Sequence, residues 1–212
     1  MTQYPTYFES ALDAAARRRL TAAGTADIVV GLPTYKNGRT IANMIQNLAG
    51  GINEHFPGAT GHIVVADGGS TDDTIAVARA VELPSGITVT PLAYQGLTGK
   101  GSAIRAIMEA ADLLKAKGCA VLDADVRSIT PAWIERLVGP VLSHEADFVS
   151  ARYTRDRHEV TINDLIAYPL TRMLYGRDVR QPLGSEIALS PRAWQTFMAK
   201  DVWETDVARF GI

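Results

Sequence analysis

Four times within residues 1–125, a short strand-like run, mostly apolar, ends abruptly at an aspartate or a proline: 28–32, 63–66, 87–90 and 119–122. The intervening segments have helical spacing. Ile41, Met44, Ile45 and Leu48 mark the first, an alanine- and valine-rich stretch to Val81 the second. Ile104, Ile107, Met108, Ala111 and Leu114 mark the third, over 102–115. Strands alternating with helices of about a dozen residues predict an α/β fold with a mostly parallel sheet and right-handed crossovers.

The flanks fill out this frame. Residues 4–20 read as a helix, with the solvated Arg17-Arg18-Arg19 near its end, where cations suit the helix dipole. Gly50-Gly51 is expected to stop the helix begun at Ile41, and Ser70 or Thr71 to cap the helix after the second strand. Pro91 to Gly101 reads as a loop. Pro131 opens a helix over 133–142, 148–151 is a strand, and the charged 153–160 is expected to be mobile. A helix over 161–175 should kink at Pro169, and a short strand follows at 187–189. Two short helices complete the chain.

A length of 212 residues suits a single domain spanning 1–212. Its parts are an N-terminal helix (1–26), a first half (27–125) and a second half (126–212). The ending Phe210-Gly211-Ile212 closes no element, so a further C-terminal segment is expected. A formal net charge of −2 argues against a nucleic-acid partner of the basic-patch type. The one cysteine, Cys119, lies in an expected buried strand and fits a reducing, cytoplasmic setting. No apolar run is long enough to span a membrane.

In an open α/β sheet, ligands bind beyond the carboxyl ends of the strands. The loops expected there are 33–38, 67–73, 96–101 and 123–127. Asp123 and Asp125 end the fourth strand one residue apart and can converge on one point. Two like charges so close call for a cation or a donor array between them, and hard oxygen ligands suit Mg²⁺ or Mn²⁺ beside substrate phosphates. Equally, Asp123 could cap the following turn and Asp125 be solvated. Asp67 could accept from a base or ribose, or brace an Asx turn in Asp-Gly-Gly-Ser. Gly99-Lys100-Gly101 precedes a helix N-terminus, where free amides and the Lys100 charge suit a diphosphate. A P-loop is excluded by Tyr94 and Gly101, and no G-x-G-x-x-G follows the first strand.

The segments IVVGLPTYKNGRTI, IVVADGGSTDDT, GKGSA and VLDAD, in that order, resemble the nucleotide-sugar-binding half of GT-A fold, family 2-like glycosyltransferases over roughly 27–210. Gln181 to Glu186 and Trp203-Glu204-Thr205-Asp206 look most like the glucosyl- or mannosyl-3-phosphoglycerate synthase branch. The resemblance implies a metal-dependent transfer from a UDP- or GDP-sugar to a small, anionic acceptor such as 3-phosphoglycerate. It places Pro33, Tyr35 and Asn37 around the nucleoside, although the family's usual Glu after Asn is Gly38. Asp67 would bind the base, with Gly99, Lys100 and Gly101 on base and diphosphate. Asp125 would be the main ligand of Mg²⁺ or Mn²⁺, with Asp123 on ribose or metal. Glu186 would hold sugar hydroxyls or sit by the reacting centre. The histidine that completes the branch's metal site has no counterpart among His55, His62, His144 and His158.

Glu204 and Asp206 are the candidates for a general base, or are helix N-terminal acids. Arg152, with Arg155 and Arg157, could grip an acceptor carboxylate or phosphate. A homodimer is an expected assembly. Two other classes stay open: a sugar-1-phosphate nucleotidyltransferase, against which the loop 33–38 argues, and a non-catalytic nucleotide-sugar-binding domain.

Overall fold

The computed structural model describes residues 10–153, 162–200, 202, 203, 205, 206 and 209. Its strands are β1 (Ile28–Thr34), β2 (Gly61–Asp67), β3 (Ile87–Ala93), β4 (Gly118–Val121), β5 (Phe148–Ser150) and β6 (Ile187–Leu189). They form one sheet in the order β3-β2-β1-β4-β6-β5. The first four run parallel, and β6 pairs antiparallel with both β4 and β5. The expected α/β class and mostly parallel sheet are therefore observed.

Helices cover both faces: α1 (Ala14–Ala23), α2 (Ile41–His55), α3 (Thr74–Ala80), α4 (Lys100–Leu113), α5 (Ala132–Leu142), α6 (Tyr168–Tyr175) and α7 (Pro191–Met198). Alternation along β1 divides the core. Val29 joins a cluster with Leu20, Ile107 and Trp194, while Ile28, Val30 and Leu32 join one with Met44, Ile45 and Ile134. Strand and helix are in close contact at Gly31, where a Cβ would overlap the Ile107 side chain of α4.

Several expected boundaries move, each for a physical reason. Of the helix expected over 4–20, residues 4–9 lie outside the described residues; α1 starts at Ala14, where Asp13 caps it by accepting from the Ala16 N–H. Arg17 to Arg19 thus lie mid-helix, and Arg17 faces Glu109 at 3.7 Å. Gly50-Gly51 does not stop α2, which runs on to His55. Gly51 is small because α5 arrives there: a Cβ would overlap the Pro131 carbonyl. Neither Ser70 nor Thr71 caps α3. The N-cap position is Asp73, which makes no side-chain cap bond; Asp72 before it accepts from the Thr74 N–H at 3.2 Å and from its hydroxyl at 2.5 Å.

β3 extends through Pro91, which the sequence assigns to a loop. The Gly61 N–H donates to the Gly86 carbonyl, so even-numbered residues of β3 face β2 and Pro91 turns its nitrogen to the open edge. Pro33 obeys the same logic inside β1. The Leu122 N–H donates to the Gly31 carbonyl, so odd-numbered residues face β4, and β4 ends before it reaches Pro33. The kink expected at Pro169 takes the form of a π-helical turn, Asn163–Ala167, leading into α6. Ile162, Leu165, Ile166, Leu170, Met173, Leu174 and Tyr175 along this segment are 45–74% exposed.

Candidate donor and acceptor site

The register of the sheet assembles the site. Thr34 stands beside Asp67, and Asp67 beside Ala93, so three strands end level. Beyond this edge lies a cavity of about 510 Å³. Pro33, Tyr35, Gly99, Lys100 and Asp123, all expected at the site, line it. Lys100, the first residue of α4, forms an ion pair with Asp123, and both side chains are about 30% exposed (29% and 31%).

Other expected residues build the walls instead of lining them. The Asn37 side chain accepts from the Tyr35 N–H at 2.9 Å, and its carbonyl accepts from Thr40 and Ile41, closing the loop into α2. The next residue, Gly38, donates its N–H to Asp72 at 3.2 Å. A Cβ there would overlap the Asp73 carboxylate, which would have to turn aside to admit the family's Glu. Asp67 is buried and accepts from the Gly69 and Ser70 N–H groups at 3.0 and 2.8 Å and from the Ser70 hydroxyl. It thereby makes the Asx-type turn that holds Gly68 and Gly69 at the cavity wall. Gly101 is buried in the first turn of α4.

Sequence reasoning missed Tyr94. It lines the cavity, and its hydroxyl accepts from the Gly99 N–H at 3.2 Å, bracing the loop before Lys100. Burial holds its phenol above the usual range. Once β3 is read through Pro91, Tyr94 falls at the carboxyl edge, which is the signal that would have found it.

Asp125 is exposed, two residues beyond the half-buried Asp123. Among the described residues no group of three or more His, Cys, Asp or Glu side chains converges on one point. Two carboxylates are nonetheless the donor set with which Mg²⁺ is held when substrate phosphates supply further ligands. The turn that carries them is anchored, since the Thr40 hydroxyl donates to the Ala124 carbonyl at 2.7 Å.

Glu186 precedes β6 and is 5% exposed. It lines a cavity of about 240 Å³ with Val126, Ser128, Trp133, Tyr153 and Gln181. Burial raises its carboxyl above the usual range; the charges of Asp123 and Asp125 push the same way, and Lys100 opposes them. The acid thus feels the charges of Asp123, Lys100 and Asp125 together. Arg152 is exposed and lines a third cavity, of about 320 Å³. Asp206 is exposed and lines none of these three cavities. Glu204, with Arg155, Arg157 and His158, lies outside the described residues.

The profile of Glycosyl transferase family 2 matches residues 29–193. The chain belongs to glycosyl transferase family 2. This family 2 chain has no match among curated proteins. Its fold is that of GT-A glycosyltransferases, as solved structures show. Glucosyl-3-phosphoglycerate synthase from Mycobacterium tuberculosis, in complex with Mn²⁺, UDP-glucose and phosphoglyceric acid, is 28% identical with a TM-score of 0.59. The same enzyme with Mn²⁺, UDP and glucosyl-3-phosphoglycerate is 27% identical with a TM-score of 0.59. With Mg²⁺ and UDP it is 26% identical, TM-score 0.58. The first of these comparisons covers 88% of the family 2 chain and 64% of the synthase, so the chain spans less than two thirds of that enzyme. No helix among the described residues is long and apolar enough to cross a membrane.

Proposed function

We propose that this family 2 chain carries out hexosyl transfer from a nucleoside-diphosphate sugar, with UDP- or GDP-sugar as donor, to a small anionic acceptor. The observation that carries this reading is the cavity at the carboxyl edge of the sheet, where Lys100 at the α4 N-terminus meets Asp123. An anion placed there meets free amides, the positive end of a helix and a lysine. Pro33, Tyr35 and Tyr94 offer apolar surface for the base. Departure of a nucleoside diphosphate needs its developing charge neutralised, which Lys100 supplies from this chain. Mg²⁺ or Mn²⁺, held by Asp125 and Asp123, would add to that neutralisation. Glu186, which feels the charges of both aspartates from its own cavity, would face the sugar and not the base. Arg152 would meet the acceptor's negative charge.

Thermal shift with UDP-glucose, GDP-mannose and ADP-glucose, each with and without Mn²⁺, tests this reading. Only a ligand that prefers the native state raises the melting temperature. One donor is expected to stand out, with an Mn²⁺-dependent increment that Asp125→Ala removes while the fold survives. A flat response across the panel would sink the donor assignment.

A further inference from the structure

The cavity that Arg152 lines contains a second guanidinium, Arg136, contributed by a different element, α5. Among the described residues neither guanidinium is held in an ion pair, although the Arg152 charge also acts on Asp178. Two such guanidiniums at one cavity provide the forked donors that suit a carboxylate or phosphate.

This chamber shares a wall with the one that holds Glu186. Trp133 and Tyr153 line both, with ring centroids 6.0 Å apart and planes tilted by 46°. The backbone fixes the spacing as well. The Ala151 N–H donates to the Glu186 carbonyl at 3.0 Å, so Arg152 starts one residue from the strand position opposite the acid. In order, the path runs from a buried carboxylate, past an aromatic pair, to two arginines. Chambers of about 240 and 320 Å³ offer more room than a three-carbon acid fills. An aromatic pair between them offers flat apolar surface to a ring.

We propose that the acceptor is an anionic sugar: a pyranose or furanose bearing a carboxylate or a phosphate. This rests on the glycosyltransferase reading above. The ring lies against Trp133 and Tyr153, its anionic group meets Arg136 and Arg152, and one hydroxyl reaches the Glu186 chamber. In the transfer, that hydroxyl oxygen bonds to the anomeric carbon of the donor. The bond from that carbon to the diphosphate oxygen breaks, and its electron pair leaves with the nucleoside diphosphate. The hydroxyl proton ends on the departing diphosphate.

Calorimetric titration of the chain, without donor, with glucuronate, glucose 6-phosphate, glucose and 3-phosphoglycerate tests the chamber directly. Both charged sugars are expected to bind at least tenfold more tightly than glucose and more tightly than 3-phosphoglycerate. The tighter of the two identifies carboxylate or phosphate as the preferred group. Arg136→Gln and Arg152→Gln should each weaken that binding by about tenfold or more, with melting temperature and UDP affinity unchanged. Equal affinity for glucose, tighter binding of 3-phosphoglycerate, no binding of either charged sugar, or indifference to both substitutions would overturn the proposal. Should UDP-sugars bind while the charged sugars do not, the acceptor proposal falls and the donor reading stands. Should the sugars bind in the arginine chamber while no nucleotide binds, the donor reading falls instead.

Discussion

The hydroxyl of Thr40 donates to the carbonyl of Ala124, 84 residues away, at 2.7 Å. This bond ties the entrance of α2 to the turn between Asp123 and Asp125. Thr40→Val keeps the shape and removes the donor, leaving a half-buried carbonyl short of one partner. The expected loss is about 1 kcal/mol, a fall in melting temperature of roughly 2–4 °C. The Mn²⁺-dependent part of donor binding should weaken more than the metal-free part. Equal weakening of both would assign the bond to stability alone.

Lys100→Ala should weaken nucleoside diphosphate binding by about ten- to a hundredfold, the worth of a charged hydrogen bond. Nucleoside binding should change little. Calorimetry with UDP and uridine separates the two. Because Lys100 also pairs with Asp123, the substitution frees a carboxylate, so Mn²⁺ affinity should hold or rise while diphosphate affinity drops.

Glu186→Gln is expected to cut turnover strongly at nearly constant UDP affinity, as for a contact that matters to the reacting sugar. The stability effect has a definite sign. Burial and two aspartates raise this carboxyl, so its contribution is present below the unfolded carboxylate range and is lost as pH rises through the folded value. The substitution should therefore leave melting temperature at neutral pH unchanged or higher. A lower one would mark Glu186 as a structural acid satisfied by its loop.

His62 is the second residue of β2, 2% exposed, with one ring nitrogen 2.8 Å from the Thr88 hydroxyl and the other 2.9 Å from that of Thr90. Burial lowers its pKa from 6.5 to about 4. The unfolded chain therefore binds more protons between these values, so stability is full above pH 6.5 and falls as pH drops toward 4. The loss amounts to about 3 kcal/mol across that window. Denaturant unfolding from pH 7 to pH 4 should show this slope, and His62→Gln should flatten it.

Gly51→Ala forces a methyl group against the Pro131 carbonyl where α2 meets α5. Overpacking of this kind costs about 1–3 kcal/mol, read as a lower denaturant midpoint at unchanged slope. Gly24→Ala, where a Cβ meets open space but φ is +86°, tests backbone strain separately from packing.

Legibility followed the physics of each signal. Continuous apolar runs marked β1, β2 and β4, since a strand buried on both faces has no other composition to offer, while the edge strands β3 and β5 carry polar and partly exposed residues. Boundaries slipped where a residue's local preference competes with its neighbours. Pro91 reads as a breaker until its nitrogen is seen to face the open edge, and Gly51 as a stop until Pro131 arrives across from it. Lys100, Asp123 and Pro33 could be placed because strand ends and helix starts are local. Tyr94 could not, since its place depended on the length of β3. Nor could the Arg136–Arg152 chamber, whose parts come from a helix and an edge strand with no shared motif.

The contact at Gly31 has a kinetic meaning. With Ile107 occupying the space of its missing side chain, α4 rests on the central strand without slack, and a packed interface of this kind does not slide. The amides and the lysine at the head of that helix are therefore in position before any ligand arrives. Little ordering is left to complete in the encounter, so the donor should associate at the rate of a preformed pocket. Any slow step of complex formation then belongs to the acceptor half, where the π-helical turn and the exposed face of α6 lie.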